Sequence, residues 1–85
     1  MREIKYIIKD ELGIHARPAG RLVREAEAFE CNIEIGSPAK MVSAKRIMGV
    51  MGLALKKGNE LTMTFDGPDE DEAAKIMEVF LQENL

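Results

Sequence analysis

Hydrophobic and polar positions change their period several times along the chain, and each change marks an element. Residues Arg2 to Ile8 alternate, with Ile4, Tyr6 and Ile8 on one face and Glu3 and Lys5 on the other, the period-two signature of a strand with one buried side. Asp10, Glu11, Leu12 and Gly13 break that alternation. From Ala16 the spacing becomes helical: Ala16, Ala19, Leu22, Val23, Ala26 and Phe29 share one face and predict a helix over residues 16–28, ending before Cys31 and Asn32. Ile33 and Ile35 stand between polar residues in a second strand over 32–36. Ser37 and Pro38 predict a turn, and 39–43 a short third strand. Residues 47–55 are apolar almost all round, contain Gly49 and Gly52, and read as one short helix. After a turn at 56–59, Leu61, Met63 and Phe65 alternate with Thr62 and Thr64 in a fourth strand. Asp69, Glu70, Asp71 and Glu72 then load the start of a last helix with negative charge, which suits the positive end of the helix dipole. Ala73, Ile76, Met77, Phe80 and Leu81 follow at spacings of three and four.

The order β-α-β-β-α-β-α predicts an α+β layer, a four-stranded antiparallel sheet with three helices on one face. Which strands are neighbours does not follow from this pattern. No linker, repeat or low-complexity tract interrupts the 85 residues, so a single domain over 1–85 is expected. With one Tyr, three Phe and no Trp, its core must rest on aliphatic side chains and six Met.

Composition then removes function classes. Twelve basic and fifteen acidic side chains give a net charge of −3, which offers no global attraction to nucleic acid or to an acidic membrane surface. Cys31 is alone, so no internal disulfide forms, and one Cys with one His does not make a zinc site of the usual kind. Cys31 is expected to be a small structural residue near a strand start. The first ten residues are mostly charged and alternating, unlike a secretory leader. The longest apolar run, Ile47–Leu55, has nine residues and is too short to span a bilayer. A soluble, cofactor-free domain of a reducing compartment is expected.

Candidate chemistry centres on the only histidine. Gly13-Ile14-His15-Ala16-Arg17-Pro18-Ala19 lies where the first loop becomes the first helix, so His15 stands near the N-cap, where main-chain N–H groups lack intrahelical partners. With His15 as N-cap, Pro18 takes the third helical position and supplies no amide to tie the imidazole down. The ring is then free to face outward beside the Ala16 and Arg17 amides. A helix N-terminus disfavours positive charge and so favours neutral imidazole, the nucleophilic form. Once that ring carries a phosphoryl group, the same amides and dipole attract the new negative charge. Arg17 adds charge-assisted hydrogen bonds to phosphate oxygens. From residue type and position alone, a surface or capping histidine is the commoner reading.

Two further features stay open on pattern alone. Arg17, Arg21 and Arg24 line one helix face, and residues 13–24 hold no acid whereas 66–72 hold five. This is either a docking face for acidic partners or a solvated face stitched by an Arg21–Glu25 pair. Ile47, Met48 and Met51 are either core or an adaptable exposed patch, because a short helix apolar all round does not easily bury every side.

The heptapeptide GIHARPA closely resembles the active-site signature of the HPr family, the histidine-containing phosphocarriers of the bacterial sugar phosphotransferase system. A second block, Ala44-Lys45-Arg46-Ile47-Met48-Gly49-Val50-Met51, resembles that family's Ala-Lys-Ser-Ile-Met-Gly-Val-Met segment. Both blocks are in register, and length and element order agree over essentially the whole chain. The resemblance implies an open-faced β-sandwich, and a cytoplasmic, monomeric carrier that is a substrate of enzymes rather than an enzyme. It implies that His15 accepts a phosphoryl group on Nδ1 from phosphorylated enzyme I, charged by phosphoenolpyruvate, and passes it to enzyme IIA domains of sugar permeases. Arg17 would stabilise the group, with the Ala16 and Arg17 amides holding its oxygens. Gly20, Arg21, Arg24, Ile47, Met48 and Met51 would meet partners, with Val50 and Leu53 turned inward. Many family members carry a kinase-regulated serine where this chain has Arg46, so that regulation is expected to be absent. Gly20 and Gly52 also replace small hydroxylated residues frequent in the family. A regulatory binding module on the same fold, controlling a kinase or transcription factor, is the alternative.

Overall fold

A computed structural model describes all of residues 1–85. The elements follow the predicted order: β1 (Arg2–Ile7), α1 (Ala16–Glu27), β2 (Asn32–Ser37), β3 (Lys40–Ser43), α2 (Ile47–Met51), β4 (Glu60–Asp66) and α3 (Glu70–Asn84). All strands pair antiparallel, in the order β1-β4-β2-β3. The last strand in sequence, β4, thus lies between β1 and β2.

Register explains why the alternation reads so clearly. Ile4 faces Met63, and Met63 faces Ile35; Arg2 and Ile33 both face Phe65. One row of side chains therefore crosses the sheet on a single face, and Ile33, Ile35, Leu61, Met63 and Phe65 are all buried there. The helices cover that face. Leu22, Ala19 and Ala26 of α1, Val50 of α2, and Ala73, Met77 and Leu81 of α3 complete one continuous core. The opposite face carries Glu3, Lys5 and Glu34 in solvent, the open face of an α+β sandwich. No helix is long and apolar enough to cross a membrane.

Four expectations need correction. The apolar run 47–55 is not one helix: α2 stops at Met51 with Gly52 as C-cap. The chain then turns through Ala54 at φ 55, in the left-handed region, and lays half-buried Leu53 and Leu55 against the core. A continued helix would lose the hydrogen bond from the Ile14 N–H to the Leu55 carbonyl, 3.0 Å. The hairpin turn is Pro38-Ala39, since Ser37 already pairs with Lys40. In α3, Ile76 is 40% exposed, and the buried stripe runs instead through Ala73, Ala74, Met77, Phe80 and Leu81. Ala16 likewise lies outside the buried stripe of α1.

Candidate functional site

The site is assembled by the loop between β1 and α1. Gly13 adopts φ +66, and a Cβ there would run into the Leu55 carbonyl and lie 2.7 Å from Lys56 Cα. Glycine at 13 thus serves both a left-handed turn and a close approach between chain segments. Together with the Ile14–Leu55 bond, it seats the histidine loop against the segment leaving α2. The first sequence block is therefore tied through main chain to the segment that follows the second.

His15 is the N-cap of α1, extended at φ −116 and ψ −178, and its side chain makes no capping hydrogen bond. Pro18, at the third helical position, is buried. The Ala16 and Arg17 amides donate to nothing in the protein, so two orphan donors lie at the helix start. The imidazole is 35% exposed, and its Nε2 lies 3.6 Å from Asp10 Oδ1. That oxygen also accepts the Leu12 N–H at 2.8 Å. A cleft of about 120 Å³ opens here, lined by Asp10, His15, Arg17, Pro18, Arg21 and Asn84. Charged and polar side chains dominate its lining, and Arg17 and Arg21 both border it.

The basic face is unpaired. The ion pairs of the molecule are Met1–Glu70, Arg2–Asp71, Asp10–His15 and Lys57–Glu11. None involves Arg17, Arg21, Arg24 or Arg46, and no Arg21–Glu25 stitch forms. The three α1 arginines do not act as one unit, however. Arg17 and Arg21 border the His15 cleft, while Arg24 lines a separate groove between α1 and α3 with Lys75, Ile76 and Val79. Seven residues of helix rise about 10 Å, which carries Arg24 beyond the cleft. Arg21 and Asn84 belong to both.

On α2, Met48 is 79% exposed, with Ile47 and Met51 at 37% and 39%, whereas Val50 is fully buried. The three candidates thus form a patch, and of the two residues expected inward Val50 is buried and Leu53 half-buried. Gly20 on α1 has open space where a Cβ would stand. Arg46 is the exposed N-cap of α2 and makes no side-chain cap bond. Ser43 Oγ is engaged by the Lys45 N–H at 3.2 Å.

Several residues here escaped sequence reasoning. Asp10 read only as a strand breaker, and Asn84 carried no signal at all. Lys45 proves structural: its Nζ donates to the Phe29 carbonyl at 2.6 Å, just past the end of α1, a favourable place for a cation. The neighbouring Ala44 is fully buried. No periodic signal marks such contacts, because the partners are many residues apart. Cys31 is buried as expected; desolvation, helped by hydrogen bonding to Asp69, pushes its thiol up to about 11, which leaves it inert.

Comparison with known proteins bears directly on this site. Residues 2–83 match the family model described as PTS HPr component phosphorylation site. The chain is 43% identical over 83 residues to the phosphocarrier protein HPr of Lysinibacillus sphaericus, covering 98% of this chain and 94% of that protein. Among solved structures, HPr-C-His from Thermoanaerobacter tengcongensis superposes with a TM-score of 0.92 at 37% identity, covering 99% and 94% of the two chains. Crh of Bacillus subtilis, a catabolite repression protein solved as a swapped-domain dimer, superposes with a TM-score of 0.78 at 36% identity, covering 100% and 98%.

Proposed function

Because the chain belongs to the HPr family of phosphocarrier proteins, we propose that His15 is its phosphoryl acceptor, loaded on Nδ1 by phosphorylated enzyme I and unloaded onto enzyme IIA domains of sugar permeases. The single observation that carries this reading is the position of His15: an uncapped N-cap, beside two orphan amides and two unpaired guanidiniums. The Nδ1 lone pair forms the new P–N bond while the donor's bond to phosphorus breaks and its electron pair returns to the donor. The transferring group carries its charge on three oxygens. The Ala16 and Arg17 amides and the Arg17 guanidinium are the donors that meet it, already oriented before transfer. No acid, base or metal is needed on this chain when the partner enzymes supply them, so the protein is a substrate of catalysts rather than a catalyst.

Docking is assigned to Gly20, Arg21 and the Ile47, Met48 and Met51 patch. Arg24 extends the basic rim for acidic partners. A monomer working in the cytoplasm fits this role. The regulatory alternative draws on the similarity to Crh, but position 46 holds an arginine, which is no substrate for a serine kinase, and the histidine is retained. Carriage is therefore the reading the residues favour.

The test is incubation with enzyme I and labelled phosphoenolpyruvate. An acid-labile, alkali-stable phosphoramidate is expected on His15, transferable to an enzyme IIA domain. His15→Ala should abolish labelling and leave stability within about 1 kcal/mol, the scale of a cap residue. Label retained on that variant would place the acceptor elsewhere.

A further inference from the structure

We infer that Asp10 is a positioning residue for His15: its carboxylate holds the proton of the neutral imidazole on Nε2 and so keeps the Nδ1 lone pair free for the phosphoryl group. The inference rests on the carrier reading above and adds a second residue to it.

A neutral imidazole has one proton and two nitrogens, and the acceptor beside one nitrogen decides where the proton sits. Asp10 Oδ1 faces Nε2 at 3.6 Å. This is longer than a hydrogen bond, as contacts of this kind often are before the reacting partner arrives. The carboxylate is also fixed in place. Its Oδ1 accepts the Leu12 N–H at 2.8 Å, and the Lys9 and Asp10 N–H groups both donate to a C-terminal oxygen of Leu85, at 2.6 and 2.8 Å. The buried last residue thus clamps the loop that presents Asp10. Although Arg17 and Arg21 share the cleft, neither pairs with this carboxylate, so its charge remains available to the ring.

Charge balance through one loading cycle gives Asp10 its use. Nδ1 donates its lone pair to phosphorus, the donor bond breaks with its pair going to the donor, and Nε2 keeps its proton. The ring thereby becomes cationic, and the carboxylate beside the Nε2–H now accepts a charge-assisted hydrogen bond. On unloading, the pair returns to Nδ1 and no proton has moved. With the proton on Nδ1 instead, it would have to leave before each attack.

Nitrogen-15 NMR of the full chain at a pH where His15 is neutral reads the tautomer ratio directly. The native protein is expected to hold the Nε2–H form, and Asp10→Ala to lower the ratio of Nε2–H to Nδ1–H by roughly threefold or more. Phosphorylation by enzyme I should slow by a similar factor. The main-chain bonds of residue 10 survive this substitution; Asp10→Asn, which keeps the shape but not the charge, serves as a second variant and should recover part of the ratio. A tautomer ratio unchanged in Asp10→Ala, or a shifted ratio with an unchanged loading rate, overturns the inference. Failure of the carrier reading looks different: enzyme I would leave native His15 unlabelled, whatever the tautomer ratio shows.

Discussion

The helix starts of α1 and α3 solve the same electrostatic problem in opposite ways. Both present main-chain donors and the positive end of a dipole. At α3 the answer is built into the chain: Glu70, Asp71 and Glu72 fill the first turn. Glu70 binds the amino group of Met1 at 2.7 Å and the Gly67 N–H at 3.0 Å. That amino group and N–H hold the Glu70 carboxyl below its ordinary range, and Glu70 in turn holds the Met1 amine above its own. Asp69, the N-cap, does not cap its own helix but reaches across to the Glu30 and Cys31 N–H groups at 2.8 and 2.9 Å. At α1 the first turn holds no acid, the N-cap side chain makes no cap bond, and an arginine, Arg17, stands where a carboxylate would be favourable. One dipole end is balanced by the chain's own acids, although the Asp71 and Glu72 amides have no acceptor in the protein either. The other dipole end meets no acid of the chain, and such unmet local preference is where function is expected to lie.

Substitutions that exchange these characters test the comparison. The largest effect is expected from Arg17→Ala, which removes the positive charge proposed to meet the transferring group. Phosphoryl transfer should slow by roughly tenfold to a hundredfold, with partner affinity changed much less, as rapid-quench kinetics set against binding titrations would show. Equal losses in both would make Arg17 a docking residue only.

At the other start, Asp69→Asn should lower the melting temperature at neutral pH, because the amide oxygen replaces only part of what two carboxylate oxygens accept. The Glu30 N–H, ahead of the Cys31 contacts, holds the Asp69 carboxyl below its ordinary value of 3.8. The unfolded chain therefore takes up this proton more readily than the folded one. The stabilisation is complete above 3.8 and is lost as pH falls through the lower, folded value. Melting curves of the native chain and the variant should accordingly differ at pH 7 and converge in acid. A constant difference at every pH would remove the carboxylate from the account.

Smaller effects concern the remaining helix starts. Arg46→Ser gives α2 a capping hydroxyl in place of a cation at the positive end of the dipole, and should stabilise the protein by roughly 0.5 to 1 kcal/mol. For a domain of this size that raises the melting temperature by about 3 to 8 °C. Ala16→Glu, which gives α1 an acid like those of α3, should add about 0.5 kcal/mol at low salt. It should at the same time slow loading of His15 by repelling the incoming group. A gain in stability with no loss of loading would mean that the empty first turn of α1 has no functional meaning.

Much of this was legible in the chain because it depends on short-range periodicity. Ile33 and Ile35 flanked by polar residues, or Leu61, Met63 and Phe65 among threonines, show their buried face without a partner strand, since side chains alternate at every residue. The placement of His15 at a helix start was legible too, as Gly13, Pro18 and the change of period all lie within a few residues of it. The end of α2 was not. Gly52 and the left-handed Ala54 are ordered by what Leu55 must reach, and Ile14 is far from it in sequence. Spacing alone puts Ile76 on the apolar stripe of α3, yet a groove lined by Arg21 and Arg24 opens beside it.

By itself the sequence determined the kinds and order of the elements, the face each strand buries, the acid-free turn that follows His15, and the arginine at 46. These are local properties: period, cap chemistry and charge within one or two turns. The tertiary structure alone decided that β4 lies between β1 and β2, that Leu85 clamps the loop carrying Asp10 beside His15 Nε2, that Lys45 closes the end of α1, and that Arg24 leaves the cleft which Arg17 and Arg21 border. Each of these depends on where distant segments meet when one apolar sheet face is covered by three helices, and helical or strand spacing carries no information about residues thirty or seventy positions away.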